Sequence, residues 1–242
     1  MSILDRHLIW DRCVNARDLG GHTGAHGRAT VQGAVIRSDT LDHLTPEGWE
    51  ALVAYGTQTI VDLRSTAERR PRPVPTGIEE HHVPILEAAD FAALDGVETM
   101  EDLYLAMLER RPAAFAEAVT AVAEAPRGGV VVHCFAGKDR TGLVVALALA
   151  LVGVPDEDLA DDYAASDDRV RPLLAEWIAT APTPGERQRR LRESRARRET
   201  MSRTLELVQR RFGGAESYLL GAGVEASTLE SLRRRLLDAP NS

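Results

Sequence analysis

The segment Val130-Val131-Val132-His133-Cys134-Phe135-Ala136-Gly137-Lys138-Asp139-Arg140-Thr141-Gly142 constrains this chain more than any other. A β-branched apolar run ends at His133. A short loop containing a glycine follows, and an almost purely apolar stretch from about Arg140 to Leu151 reads as a buried helix. Strand, tight loop and helix start together aim backbone N–H groups and a helix dipole at one point, and such a point binds anions. Cys134 stands there. Helix starts favour the thiolate over the thiol. Arg140 adds a planar fork of donors that matches two oxygens of a phosphoryl group, and Thr141 can hydrogen-bond the sulfur.

The chain has a single lysine, Lys138, against a background that otherwise uses arginine for its long basic side chains. A lysine kept inside this loop indicates a use for a compact point charge. The spacing Cys134, then five residues, then Arg140-Thr141 resembles the signature of cysteine-dependent phosphatases. In that chemistry the sulfur attacks phosphorus in line, while the loop amides and the arginine hold the non-bridging oxygens. Positioning and charge stabilisation carry most of phosphoryl transfer.

The whole run His133 to Gly142 resembles the bacterial PtpB-type tyrosine and phosphoinositide phosphatases. Asn15-Ala16-Arg17-Asp18-Leu19-Gly20-Gly21, Ile36-Arg37-Ser38-Asp39 and Val61-Asp62-Leu63-Arg64-Ser65 match further family motifs in the same order, as does the region from Tyr218-Leu219 to Leu236-Leu237. The resemblance covers nearly the whole chain. It implies a single domain over 1–242, of cysteine-phosphatase-like α/β fold, with a helical lid over 155–212. It also implies a metal- and cofactor-independent phosphomonoesterase acting on phosphotyrosine, phosphoinositides and phosphoserine or phosphothreonine. Cys134 is then the nucleophile, with Arg140, Thr141, Asp62 and Asp139 as its catalytic partners. His133, Phe135, Ala136, Gly137, Lys138 and Arg64 are the expected substrate-binding residues.

Other readings of the loop fare worse. A nucleotide-binding phosphate loop needs a glycine where Val132 stands and Ser or Thr where Asp139 stands. A sulfur carrier of the rhodanese kind does not require Gly137-Lys138-Asp139 or Thr141-Gly142. A phosphate-binding module without activity commonly lacks the cysteine or the arginine, and both are present.

A net charge of −8 argues against a general nucleic-acid binder, so any anion site is local. Cys13 and Cys134 make no disulfide framework, which favours a reducing compartment. Cys13 reads as packed, with a resolving thiol as the alternative. Met1 to Trp10 lacks a signal-peptide core, and Leu143 to Leu151 is too short to span a bilayer. The expectation is cytoplasmic; the resemblance leaves export without a visible signal open. The oligomeric state is not legible.

Strands are expected at Val31–Arg37, Gln58–Leu63, His81–Ile85 and up to His133, alternating with helices over about 46–55, 98–110, 112–125 and 140–151. Alternation implies a central, mainly parallel sheet flanked by helices, with ligands at the strands' carboxyl ends. Thr45-Pro46 is a helix start and Gly56 its stop. The glycines around His22 and His26 forbid the helix that would bring the two rings together on a metal. Arg17 and Asp18 read as an ion pair pinning their segment, or as part of the site floor. After Pro155 come further helices. One, over Glu186 to Arg198, is a charged surface piece with Glu186/Arg190 and Glu193/Arg197 pairs; the alternative is a mobile lid. Met201, Leu205, Val208 and Phe212 form a helical stripe. For the proton donor, resemblance to familiar tyrosine phosphatases, which place an aspartate well before the cysteine, implies Asp102 or Asp95. Asp102 falls at a helix start, where a cap is expected, and the family resemblance points to Asp62 instead, with Asp139 a further candidate.

Overall fold

The computed structural model describes residues 6–238. Its sheet is built from β1 (Arg17–Asp18), β2 (Val35–Ser38), β3 (Thr57–Asp62), β4 (Glu79–His82) and β5 (Gly129–His133). Their spatial order is β1-β2-β5-β3-β4. β1 runs antiparallel to β2, and every other pair is parallel. β5 is central, and Val130, Val131 and Val132 are buried on both faces, as an apolar run in a covered parallel sheet must be. The register sets His133 opposite Ser38 on one side and Asp62 on the other. The ends of β2, β3 and β5 therefore share one edge of the sheet, and the chemistry lies there.

Helices cover both faces. α1 (Pro46–Ala54) packs with Trp10, Trp49 and Leu52 on one face. Thr45 caps it by accepting from the Gly48 amide at 3.2 Å, a contact of about 1 kcal/mol. The opposite face carries α2 (Ala88–Leu94), α3 (Met100–Arg110), α4 (Pro112–Glu124) and α5 (Asp139–Leu151). Nearly every residue of α5 is buried, because the sheet, α4 and the later helices surround it. α6 (Asp156–Ala164), α9 (Arg198–Phe212), α10 (Ala215–Gly221) and α11 (Ala226–Leu237) complete that layer. Met201, Leu205 and Val208 face inward from α9, and Phe212 lies 4.9 Å from the Tyr218 ring.

α7 (Asp167–Ala179) and α8 (Pro184–Glu193) stand apart from this layer. α8 buries none of its side chains, and α7 buries only Val170 and Leu174. Ion pairs of Glu186 with Arg189 and Arg190 lace α8 together. The expected Glu193/Arg197 pair has no helix to sit on, since α8 stops at Glu193. No helix among the described residues is long and apolar enough to cross a membrane.

Three differences from the sequence reading have physical causes. The strand expected from Val31 begins only at Val35, because the Val31 amide is taken by the Leu236 carbonyl at 2.8 Å. β1 is a strand made of two charged residues, buried because both find partners. α2 falls where no helix was expected; its start is held by Asp90, which accepts from the Glu87 amide at 3.0 Å and pairs with Arg110 and Arg111.

Candidate active site

The loop from Cys134 to Lys138 is shaped from outside. The Phe135 carbonyl accepts from the Thr40 amide at 2.9 Å. Asn15 Nδ2 donates to the carbonyls of Ala136 (2.9 Å) and Gly137 (3.3 Å). Arg37 Nη2 donates to the Gly137 carbonyl at 2.7 Å. With their carbonyls drawn outward, the amides of Phe135, Ala136, Gly137 and Lys138 donate to no protein acceptor among the described residues. Such converging N–H groups form an anion nest. Gly137 is required by both its backbone and its surroundings: its φ is +64°, and a Cβ would lie 2.3 Å from the Ser38 carbonyl oxygen.

The braces are themselves held by a buried ion network. Asp162 on α6 accepts from Arg17 Nε at 3.0 Å and Arg37 Nη1 at 2.5 Å, all three side chains being 1% exposed. Arg17 also donates to Asn15 Oδ1 at 2.7 Å, which orients the Asn15 amide toward the loop. Burial alone would raise the Asp162 carboxyl, but the two arginines hold it well below the usual carboxylate range. Arg17 and Asp18 are thus not an ion pair with each other. Asp18 accepts from the Tyr55 hydroxyl and from the Gly20 and Gly33 amides.

Arg140 points into the same space. Its two terminal nitrogens donate to Glu68 Oε2 (2.5 Å) and Oε1 (2.7 Å). Glu68 is fixed by the amide and hydroxyl of Ser65, both at 2.9 Å. Burial pushes the Glu68 carboxyl up, but the bonds from Arg140 outweigh it and hold the group ionised, below its ordinary value. Sequence reasoning missed Glu68. Its Ser65/Glu68 capping box is visible in the sequence, but its pairing with an arginine far along the chain is not.

These groups border a cavity of about 650 Å³. Cys134, Phe135, Ala136, Lys138, Asp139, Arg140 and Glu68 form its polar side. Phe91 from α2, Met100, Leu103 and Met107 from α3, and Leu174 and Trp177 from α7 form an apolar side. Arg189 and Glu193 of α8 reach it from above. The fold therefore brings six of the sequence-selected residues to one cavity.

Five others lie behind its wall. Thr141 is fully buried, and its hydroxyl has no partner among the described residues. His133 is fully buried, its Nε2 without a hydrogen-bond partner among the described residues and 3.7 Å from Asp62; burial lowers its pKa to about 4, so the ring is neutral near pH 7. Gly137 belongs to the frame of the loop. Arg64, expected to bind substrate, is 1% exposed and turned away, bonded to Asp62 at 2.9 Å, Asp42 at 2.5 Å and Thr40 Oγ1 at 3.0 Å. Asp62, expected to give the proton, is fully buried and bonded to Arg64 and to Arg69 at 3.1 Å. Burial would raise its pKa, but His133 and the bonds and charge of Arg64 hold it well below the usual range.

Asp139, in contrast, faces the cavity at the first turn of α5. Asp102 lies at the helix start but is not the cap expected of it: Thr99 caps α3, its Oγ1 accepting from the Asp102 amide at 3.1 Å. Asp95 lies at the cavity rim, 73% exposed. Lys138 is 1% exposed, and its ammonium donates to the carbonyls of Glu193 and, at 3.2 Å, Arg195. It thus reaches the end of α8 as well as the cavity.

Asp62, Glu80 and His133 bring ligand-type atoms within 4.8 Å of one another. Arg64, Arg69 and Arg72 already engage the two carboxylates, so a divalent ion would meet three positive charges. Cys13 is buried and bonded to Asp39 (2.7 Å) and Ser38 (2.9 Å), and burial pushes its thiol pKa up, which makes it unreactive. His22 is buried against Arg6, whereas His26 is exposed.

A mostly parallel, helix-flanked sheet ending in a cysteine loop braced by arginines defines a cysteine-phosphatase-like fold. The family model of the tyrosine phosphatase family matches residues 8–238, and the chain belongs to that family. It is 34% identical over 182 residues to a protein of Cupriavidus necator provisionally named a tyrosine-protein phosphatase, covering 69% of this chain and 66% of that one. It is 29% identical to a tyrosine-protein phosphatase of Nostoc commune, over 84% of this chain and 74% of that one. It is also 29% identical to the triple specificity protein phosphatase PtpB of Mycobacterium tuberculosis, over 85% of this chain and 91% of that one.

Proposed function

We propose that the chain hydrolyses phosphomonoesters through a cysteinyl-phosphate, with phosphotyrosine and phosphoinositides as substrates and phosphoserine or phosphothreonine as further ones. The observation that carries this is the nest of loop amides, freed by Asn15, Arg37 and Thr40, between Cys134 and the Glu68-held Arg140.

In the first step the Cys134 sulfur forms a bond to phosphorus as the bond to the leaving oxygen breaks. The nest and Arg140 hold the non-bridging oxygens. Asp139 gives its proton to the leaving oxygen. Asp62 is the poorer donor: it is buried behind the wall, ionised, and bonded to two arginines. Its part, with Arg64, is to hold Thr40, whose amide fixes the Phe135 carbonyl. In the second step water attacks phosphorus, gives its proton to Asp139, and the sulfur leaves as thiolate. The Thr141 hydroxyl, without a partner among the described residues, suits a bond to that thiolate. No metal or cofactor takes part.

The lid in this reading is narrower than 155–212. α6 is bolted to the loop through Asp162 and α9 is packed in the body, which leaves α7 and α8 to move. Lys138 supplies charge for a second phosphate only when it lets go of α8. The test is phosphate release by wild type and Cys134→Ser, with EDTA present, from a phosphotyrosine peptide, a phosphoserine peptide and a phosphoinositide. Release that depends on Cys134 is expected. A folded protein that binds phosphate and releases none from any of them would make this a binding module.

A further inference from the structure

Two buried tyrosines end on the cavity's aspartate. The Tyr104 hydroxyl, from α3, donates to Asp139 Oδ1. The Tyr163 hydroxyl, from α6, lies 2.7 Å from that of Tyr104. Neither phenol is more than 1% exposed, and the rings meet edge to face at 6.1 Å. Tyr163 comes this close because Gly142 has no side chain: a Cβ there would lie 3.2 Å from its ring.

The proton count of this chain fixes its direction. An ionised carboxylate only accepts, and each phenol has one proton. Tyr104 must donate to Asp139, so Tyr163 must donate to Tyr104. Burial first, and the Asp139 charge next, push both phenols well above their ordinary pKa, so both protons stay in place. When Asp139 takes up a proton, Oδ1 is the wrong oxygen for it. A proton there would turn Tyr104 toward Tyr163 and leave the Tyr163 hydroxyl proton buried with no acceptor among the described residues, which is costly. The Lys138 ammonium, 3.3 Å from Oδ1, opposes it as well. Oδ2 has no hydrogen-bond partner among the described residues.

We infer that Tyr104 and Tyr163 are positioning residues that confine the exchangeable proton of Asp139 to Oδ2, the oxygen left for the leaving group and the attacking water. The inference rests on Asp139 being the proton donor.

The experiment measures single-turnover rates with a series of aryl phosphates whose leaving groups run from strongly to weakly acidic. The proteins are wild type, Asp139→Asn, Tyr104→Phe, Tyr163→Phe and the Asp139→Asn/Tyr104→Phe double variant, each checked by thermal melting. Asp139→Asn is expected to lose roughly 10²- to 10⁴-fold with the worst leaving groups, the scale of general acid catalysis, and far less with the best. Tyr104→Phe is expected to lose roughly tenfold with the worst leaving groups, again steepening the leaving-group dependence, as for loss of one charge-assisted hydrogen bond. Tyr163→Phe should steepen it less, and the double variant should be no slower than Asp139→Asn. A Tyr104→Phe or Tyr163→Phe loss that is equal for all leaving groups would mean a merely structural role and overturn the inference. If Asp139→Asn itself shows no leaving-group dependence, the proton donor is another group, and both readings fall.

Discussion

Asp162→Asn tests the frame beneath the loop. The carboxylate faces Arg17 and Arg37 at 3.0 and 2.5 Å in a place where all three side chains are 1% exposed. Asparagine keeps the size and loses the charge. Two guanidinium groups then remain buried without a counter-ion, and breaking a buried pair in this way costs about 3–5 kcal/mol. For a domain of this length each kcal/mol shifts Tm by about 2–4 °C, so a fall of roughly 6–20 °C is expected. The Asp162 carboxyl is held below its ordinary pKa, so its stabilisation is complete above roughly pH 4 and is lost as the pH falls further. The gap between wild type and variant in urea unfolding should therefore be constant at neutral pH and narrow under acid. Phosphate affinity should fall too, because Arg37 also holds the Gly137 carbonyl at 2.7 Å. A loss below about 1 kcal/mol, the size of a surface ion pair, would refute the reasoning, as would a gap that does not change with acid.

Three further outcomes follow from single contacts. Glu68→Gln removes the charge that aims Arg140 and should lower kcat/KM by roughly 10- to 100-fold, the scale of a hydrogen bond to a charged group, without a comparable fall in Tm. Lys138→Met frees the Glu193 and Arg195 carbonyls, so hydrogen exchange in α8 should quicken, and any preference for doubly phosphorylated over singly phosphorylated substrates should shrink. His22, whose pKa burial and then Arg6 lower from 6.5 to about 4, is neutral in the fold, so its contribution to stability is full above about pH 6.5 and is lost as the pH falls toward 4. His22→Asn should flatten unfolding free energy against pH across that interval, above the window governed by Asp162.

Much of the site was legible because its residues are local. Cys134 through Arg140 form one strand–loop–helix unit, and their spacing carries both geometry and chemistry. The parallel sheet followed from alternation, and the order of the motifs agreed with it. What stayed hidden depends on distant pairing. Nothing near Glu68 says that it will meet Arg140, and nothing near Tyr104 or Tyr163 says that their hydroxyls meet at Asp139. Asp62 and Arg64 were expected from the family motif at Val61–Ser65, but a motif sets only the strand end and not the side of the wall. Their mutual ion pair turns both away from the cavity. Lys138 was singled out for its rarity, and only the fold gives it α8 as a partner.

The proposed mechanism turns on a covalent bond to one sulfur. Wild type and Cys134→Ser should be mixed with an aryl phosphate, quenched within the first turnover, digested and read by mass spectrometry. The expected result is a phosphate adduct on the Cys134 peptide of wild type, formed and lost at rates compatible with turnover, and no turnover in the variant. Steady release of phosphate by Cys134→Ser, or turnover by wild type with the Cys134 peptide never modified, would contradict the covalent mechanism.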